Sequence, residues 1–444
     1  MKGWIIFTGL AMILTLMGSA LTVYYGPGAK GSGVAELIGY LNGVNLPGIF
    51  SFETFFTKIF GTILAVTGGL CIGKEGPLAH IGASVGVIVL YFPLPRFKYF
   101  HNDKHKRYFI AAGTSAGVSA AFGAPVGGAL FAYEISKPNS FWTFSIVWRS
   151  FFASVFCMFT LTYTAKLIKW DENMATISTD ALKFGKTVVK SPEWTMIPMA
   201  LIVGVVCGVL GSFIVYSNAK LAILRKKIIK WKPLKVLEVV IFSLLTTTAF
   251  YWLPHYIMEC KSTGTESLKP EYQHLIVRGH CPEGQYNSMA SLLYNTEADA
   301  IKAIMSGWAA PKGITLTLPH MFAYLTLWYF FTCTTYGCYV PAGTFLPAII
   351  IGVSVGSIYK DIFSYLFDKD QIRDEEYFDR AVVPVLVAVG GMLSAQFRLT
   401  YSLTVIMLET TNSINIFAPM MICALTATKV ADRLTPGFYQ VAIK

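Results

Sequence analysis

Charge is scarce in this sequence of 444 residues: 14% are Asp, Glu, Lys or Arg, whereas 54% are hydrophobic. Residues 3–29, 195–219 and 313–359 contain none of the four charged types. Runs of that length can cross a bilayer, and a mean hydropathy of +0.54 excludes a water-soluble multidomain protein. We therefore expect an all-α integral membrane protein of roughly twelve to sixteen helices, many of them tilted or half-spanning.

Signatures of metal and nucleotide sites are also missing. The sequence contains no HExxH, no Walker A run and no zinc-type cysteine spacing, so metal chemistry and ATP-driven pumping have no support within this chain. It has no basic module interleaved with aromatics, which argues against nucleic-acid binding. We expect neither a metal nor an organic cofactor.

One motif is typical of serine hydrolases. Gly113-Thr114-Ser115-Ala116-Gly117 matches G-x-S-x-G, and His80 is the nearest candidate base in an apolar segment. That signature requires a strand–turn–helix elbow, whereas residues 111–121 form a small-residue tract suited to close helix packing. An intramembrane serine hydrolase is therefore a remote alternative, and we expect that the protein is not an enzyme.

The net charge of +11 is concentrated in two loops, at residues 96–107 and 220–235. Short basic loops face the cytoplasm, so both should lie on that side of the bilayer. A long polar stretch at residues 254–312 then faces the lumen or exterior. There Cys260 and Cys281 can form a disulfide or remain free thiols.

Three glycine-bearing breaks interrupt otherwise apolar segments. They are Gly31-Ser32-Gly33, Gly73-Lys74-Glu75-Gly76-Pro77 and Gly343-Thr344-Phe345-Leu346-Pro347, called here the first, second and third break. Each can start a helix, and a helix start offers unpaired N–H groups and the positive end of its dipole. Ser32 can donate its hydroxyl, and Thr344 and Phe345 can donate backbone N–H groups, to an anion stripped of water. Alternatively, the first break is only a turn with a serine N-cap.

Glu75 is costly in the bilayer because its carboxylate is flanked by apolar segments on both sides. Lys74 can neutralise it in a plain ion pair. The functional alternative is that the carboxylate mimics an anion, occupies an anion site when charged and leaves when protonated or displaced. On that interpretation Glu75 is a gate.

The three breaks, with Gly437-Phe438-Tyr439 near the end of the chain, resemble the CLC family of chloride channels and chloride/proton exchangers over nearly the whole sequence. The resemblance implies a homodimer in a lipid bilayer, built from an inverted repeat, with chloride as substrate. It assigns chloride binding to Ser32, Lys74, Thr344, Phe345 and Tyr439, and gating to Glu75. Alone, Tyr439 would suggest an interfacial anchor. The family's Ile-Pro after the first break is Val34-Ala35 here.

The residues that resemble the family favour two different transport mechanisms. Residues 121–131 match the family without gaps, but the two glutamates usual in exchangers are Glu134 and Ile135 here, and isoleucine cannot carry a proton. We therefore expect a chloride-selective channel. Residues 284–290 and 140–142 instead resemble the intracellular exchanger branch, so a chloride/proton antiporter working through water or Glu134 is the alternative. Glu134 can also be a buried partner of a nearby donor.

We divide the chain at the repeat, into residues 1–195 and 196–444. The first part holds the first and second breaks, and the other holds the polar loop, the third break and the tyrosine helix. By the resemblance, we expect that this stretch contains neither an upstream helix nor the paired CBS domains of many eukaryotic relatives. The sequence is compatible with the presence or absence of an auxiliary subunit, and with residence in the plasma membrane or in an endolysosomal membrane.

Overall fold

A computed structural model describes residues 2–93, 95–136, 144–169, 194, 196–262, 274–306, 316–367 and 375–443. The exchanger-like segment at 140–142, residues 170–193 and the boundary residue 195 lie outside the described residues. So do parts of the polar loop, at 263–273 and 307–315.

The part of the fold that holds the first two breaks is a series of helices joined by short turns. Its α-helices are α1 (Lys2–Ala20), α2 (Val34–Leu41), α3 (Phe52–Thr67), α4 (Glu75–Leu90), α5 (Asp103–Phe122), α6 (Pro125–Ser136) and α7 (Phe144–Lys169). A π-helical turn, Leu21–Tyr25, and 3₁₀ turns at Pro27–Ala29 and Pro95–Phe100 connect some of them.

The second part contains the polar loop and the remaining helices. They are α8 (Met196–Ile228), α9 (Lys232–Tyr256), β1 (Cys260–Ser262), β2 (Gln285–Asn287), α10 (Ser288–Leu293), α11 (Glu297–Ser306), α12 (Leu318–Thr335), α13 (Phe345–Phe367), α14 (Glu375–Phe397), α15 (Tyr401–Thr411), a 3₁₀ turn (Ile414–Ile416), α16 (Phe417–Leu434) and α17 (Phe438–Ile443). The expectation of an all-α membrane protein is confirmed.

The described residues form seventeen α-helices, slightly more than the sequence suggested. The excess comes from short pieces: α2, α10 and α17 have eight, six and six residues. Six helical segments are long and apolar enough to cross a membrane, whereas α4 and the 382–397 part of α14 are shorter apolar helices. A helix of about 20 residues is needed to span the hydrocarbon core. The shorter helices therefore reach only part of the way or depend on their neighbours.

Burial separates central from peripheral helices. An apolar stretch of 18 residues in α13 is 78% buried inside the protein, whereas the corresponding stretch in α7 is 22% buried. The central helices approach closely because glycines leave no side chain between them. A Cβ added at Gly352 would lie 2.7 Å from the Cα of Val389 on α14, and one added at Gly82 on α4 would collide with the Gly113 carbonyl on α5. Each half of the chain thus contains one glycine-packed helix pair near its breaks.

The polar loop is held together covalently. Cys260 and Cys281 form a disulfide, so the alternative of two free thiols is wrong. The antiparallel strands β1 and β2 pair Cys260 with Asn287 beside it. Asn287 then begins α10, accepting hydrogen bonds from the Met289 and Ala290 N–H groups at 3.0 and 3.1 Å. The disulfide and this cap fix how the loop enters α10.

The G-x-S-x-G residues form no nucleophile elbow, because they lie within α5. The Ser115 hydroxyl is paired with the Ser154 hydroxyl at 2.5 Å and lies 3.2 Å from the Ser150 carbonyl oxygen, both on α7. These contacts pack α5 against α7 and leave the hydroxyl buried. The remote alternative of a serine hydrolase is therefore wrong.

Candidate anion site at three helix breaks

The three breaks lie side by side, and backbone hydrogen bonds join them. Gly73 donates its N–H to the Gly343 carbonyl at 2.7 Å, and Gly343 donates to the Gly73 carbonyl at 2.9 Å. The first and third breaks are linked in the same way: Gly31 donates to the Val340 carbonyl at 2.9 Å, and Ala342 donates to the Gly31 carbonyl at 3.1 Å. The breaks thus form one unit, called here the crossing.

Glycine is required at the crossing for two physical reasons. Gly31 and Gly33 have φ of 68° and 81°, which is left-handed backbone that L side chains rarely adopt. Gly76 approaches the first break closely, and a Cβ there would lie 2.8 Å from the Cβ of Ser32. Removing side chains from these positions lets the segments approach closely enough to face one small ion.

The helices that begin at the crossing are only partly capped. In the described residues the N-cap residues Gly33 of α2 and Lys74 of α4 make no side-chain cap, and Ser32 accepts only the first N–H of α2. The third break begins α13 at Phe345. Uncapped N–H groups in a buried place are costly unless an anion or another acceptor satisfies them. The crossing therefore suits an anion that arrives without its water.

Glu75 supplies a negative charge at this place. Its side chain is 1% exposed, and neither carboxylate oxygen has a hydrogen-bond partner among the described residues. The backbone N–H groups of Glu75 and Leu346 lie close enough to act on the carboxylate, at the starts of α4 and α13. A Cβ at Gly73 would collide with one of its oxygens. The carboxylate thus lies within the crossing, beside the starts of α4 and α13.

Lys74 does not neutralise Glu75 by contact. Its side chain is exposed, and no ion pair joins the two residues in the described part of the chain. Lys74 still acts on Glu75 through its charge. The plain ion-pair alternative is therefore wrong in this conformation.

The proposed chloride ligands Ser32, Thr344 and Phe345 are all buried, with 4%, 2% and 2% exposure. The Ser32 Oγ accepts a hydrogen bond from the Val34 N–H at 3.3 Å. The local turn considered as the simpler alternative is therefore present, and it leaves the serine hydrogen available to another acceptor. Ser32 can serve the turn and the anion together.

Tyr439 reaches the same region through stacked rings. Its ring lies 5.4 Å from Phe397, whose ring lies 4.1 Å from Phe345 in the third break. The residue is 5% exposed, and its hydroxyl has no partner among the described residues. An interfacial anchor would keep its hydroxyl in the headgroup region, so that alternative does not fit. A buried, unpaired hydroxyl can donate to an ion.

Lys58, on α3, is a site residue that the sequence analysis missed. It is 1% exposed, and its Nζ donates to the carbonyl oxygens of Ala29 and Gly31 at 3.0 Å each. These bonds hold the chain just before Ser32 and place a buried positive charge beside it. A single lysine in the largely apolar segment 52–67 could have marked Lys58 as a candidate site residue. The sequence does not show which groups its ammonium contacts.

At the position of the expected inner proton carrier, Ile135 is 3% exposed and packed in the core. The neighbouring Glu134 carboxylate is occupied by α15. It accepts from the N–H groups of Thr400 and Ser402 at 3.0 Å each, and from the Ser402 hydroxyl at 2.5 Å. Glu134 thus caps a helix start, the structural role considered for it from the sequence.

The fold and the site together define a polytopic membrane protein whose interrupted helices converge on a buried crossing. The family model described as "Voltage gated chloride channel" matches residues 11–432. The chain belongs to this family, whose members are membrane transport proteins rather than enzymes.

Several curated proteins are similar to the chain. It is 34% identical to human "H(+)/Cl(-) exchange transporter 7", over 99% of this chain and 54% of that protein. It is 32% identical to "Chloride channel protein D" of Dictyostelium discoideum, over 98% of this chain and 50% of that protein. The chain spans about half the length of the curated relatives it matches.

Solved structures share the fold. A slow cyanobacterial Cl⁻/H⁺ antiporter superposes with a TM-score of 0.73 at 20% identity, covering 99% of this chain and 86% of that one. A eukaryotic CLC transporter gives a TM-score of 0.69 at 18% identity, covering 100% of this chain and 66% of that one.

Proposed function

We propose that the protein exchanges chloride for protons across a lipid bilayer, with Glu75 as the group that links the two ions. The observation that carries this proposal is the buried Glu75 carboxylate at the crossing, facing helix N-termini without a hydrogen-bond partner among the described residues. A side chain in that position competes with an anion for the same N–H groups. The similarity to a human protein named as an exchange transporter supports this choice over the channel expected from Ile135.

Chloride would bind between the free helix starts, with the Ser32 and Tyr439 hydroxyls and the N–H groups of Thr344 and Phe345 replacing its hydration shell. Partial charges suit a transported ion because they bind it without holding it as tightly as a contacting ammonium group would. Lys74, exposed at the start of α4, contributes a more distant positive charge.

Coupling follows from competition for one space. A charged Glu75 carboxylate excludes chloride, whereas chloride entry displaces the carboxylate and favours its protonation. A proton therefore leaves or joins Glu75 as chloride moves through the site. On the inner side, Ile135 cannot relay this proton and Glu134 is engaged in capping α15. We therefore assign the inner proton route to water rather than to either side chain.

Passive chloride conduction is the second candidate, and Ile135 is the observation that favours it. A buried isoleucine at the inner proton position supplies no titratable group there. In that case Glu75 would gate the pore without moving a proton across the membrane. By resemblance, we propose the same homodimeric assembly in the bilayer for either mechanism.

Reconstituted protein can separate the two mechanisms. Currents are recorded in planar bilayers with symmetric chloride and a pH gradient. Exchange predicts a reversal potential displaced toward the proton equilibrium potential by a fraction that the chloride-to-proton ratio determines. A channel predicts reversal near zero, and that result would overturn the proposed coupling.

Glu75→Gln is the matched control because it keeps the size of the side chain and removes the titratable group. We expect it to abolish proton movement and return the reversal potential to zero while chloride flux continues. Proton movement that persisted in Glu75→Gln would show that another residue couples the ions.

A further inference from the structure

Tyr336 is a second phenol at the crossing, immediately after α12 and outside the ligands assigned so far. Its hydroxyl lies close enough to the side chain of Ser32 for the two groups to interact. A Cβ added at Gly31 would lie 3.9 Å from the same hydroxyl oxygen. The ring packs against Phe438, next to Tyr439, with centroids 4.7 Å apart. Tyr336 therefore lies between the first break and the terminal helix.

The hydrogen-bonding capacity of Ser32 makes this contact important. A serine hydroxyl can accept two hydrogen bonds and donate one. The Val34 N–H already donates to the Ser32 Oγ at 3.3 Å. If Tyr336 donates as well, both acceptor positions are filled, and the only remaining capacity of Ser32 is its O–H. The serine then faces the crossing as a donor, which is the polarity that an anion requires.

We propose that Tyr336 is a positioning residue that orients the Ser32 hydroxyl toward chloride, an inference that rests on the proposed chloride site. The Tyr336 hydroxyl donates to the Ser32 Oγ, and the Ser32 hydroxyl donates to the ion. A donor that itself accepts a hydrogen bond is polarised and becomes a stronger donor. Tyr336 thus raises chloride affinity without touching the ion.

Contacts from α8 and α9 hold the Tyr336 backbone in place. Arg225 Nη1 donates to the Tyr336 carbonyl at 2.7 Å, and its Nη2 donates to the Thr334 carbonyl. The guanidinium is itself fixed by Glu238, whose Oε1 lies 2.5 Å from Nε in a pair that is about one-tenth exposed on each side. This support keeps the phenol directed at Ser32 and limits its freedom to swing away.

The test measures chloride binding to the purified chain in detergent by isothermal titration calorimetry. Tyr336→Phe removes only the hydroxyl and keeps the ring packed on Phe438. We expect chloride affinity to fall about tenfold, in keeping with the loss of a hydrogen bond that supports a charged ligand. The matched control is Tyr329→Phe on α12, whose hydroxyl donates to the Leu210 carbonyl at 2.8 Å. That variant should bind chloride like the wild type.

A loss of fold would lower the affinity for all anions alike, so bromide binding provides a second measurement. Weakening the Ser32 donor should reduce chloride affinity more than bromide affinity, because the smaller ion makes the stronger hydrogen bonds. The chloride-to-bromide affinity ratio should therefore fall in Tyr336→Phe and stay constant in Tyr329→Phe. An unchanged chloride affinity and ratio in Tyr336→Phe would overturn the inference.

A double-mutant cycle with Ser32→Ala tests whether Tyr336 acts through the serine. If it does, Tyr336→Phe has no further effect once Ser32 is alanine. An equal loss in both backgrounds would mean that Tyr336 binds the ion directly, and the positioning role would be wrong. If wild-type protein binds no chloride, the proposed function itself fails, and that outcome is distinct from both results above.

Discussion

Two regions of this protein treat buried helix N-termini in opposite ways. At the crossing, the N-cap residues of α2 and α4 supply no side-chain cap in the described structure, and Ser32 accepts only the first N–H of α2. In the α6–α15 pair, each helix supplies the cap of the other. Glu134 on α6 accepts from the Thr400 and Ser402 N–H groups, and Glu409 on α15 accepts from Val126 and Gly127 at 3.1 and 2.7 Å.

The difference is the reason we propose an ion site at the crossing and not at the α6–α15 pair. A glutamate that fills a helix start from a neighbouring helix removes the place where a mobile anion would bind. A free helix start in the membrane interior keeps that place, at the cost of unsatisfied N–H groups. Glu75 stands between the two cases, because it faces helix starts at the crossing without completing a hydrogen bond among the described residues.

The largest expected effect comes from filling the crossing. In Gly76→Val, a Cβ lies 2.8 Å from the Cβ of Ser32, and the added methyl groups leave no space for the two breaks to approach. We expect chloride binding and chloride flux from proteoliposomes to be lost. Gly9→Ala on α1 is the control, since a Cβ at Gly9 meets nothing within 4 Å. Normal chloride flux in Gly76→Val would show that the crossing is not the ion path.

A smaller effect is expected from Lys58→Met, which removes the buried ammonium group but keeps much of the apolar stem. The carbonyls of Ala29 and Gly31 lose their donor, and the charge beside Ser32 disappears. We expect chloride affinity to fall about tenfold, the scale of one hydrogen bond involving a charged group. Calorimetry measures it, with Lys302→Met as the control because that lysine pairs with Asp299 in α11. Equal affinities in Lys58→Met and wild type would contradict the prediction.

The smallest effect on transport is expected at the capped pair. Glu409→Ala should lower the free energy of unfolding by about 1 kcal/mol, because α6 loses the acceptor for two N-terminal N–H groups. Thermal unfolding in detergent measures this loss. The ratio of chloride to proton flux should not change, and Glu134→Ala should behave in the same way. A changed ratio in Glu134→Ala alone would instead place Glu134 on the proton path.

Much of the fold could be predicted from the sequence because the bilayer restricts the possible structures. A chain in hydrocarbon must satisfy its backbone polar groups internally, so uncharged runs such as 196–219 become helices. The glycine-bearing breaks were visible because glycine and proline interrupt such runs. The roles of Glu134 and Lys58 were less accessible, since each depends on a partner far away in sequence. Glu134 lies 266 residues from Thr400, and Lys58 lies 27 residues from Gly31.

The sequence by itself determined that this protein lies in a membrane, that its helices are interrupted at three places, and that a carboxylate stands at one of them. Hydrophobicity and backbone stereochemistry are local properties, so residue order is enough to reveal them. Only the tertiary structure decided that the three breaks pair through backbone hydrogen bonds, that Lys58 binds the carbonyls just before Ser32, and that Glu134 is used as a cap. These contacts join segments far apart along the chain, and no local preference specifies which distant groups will meet.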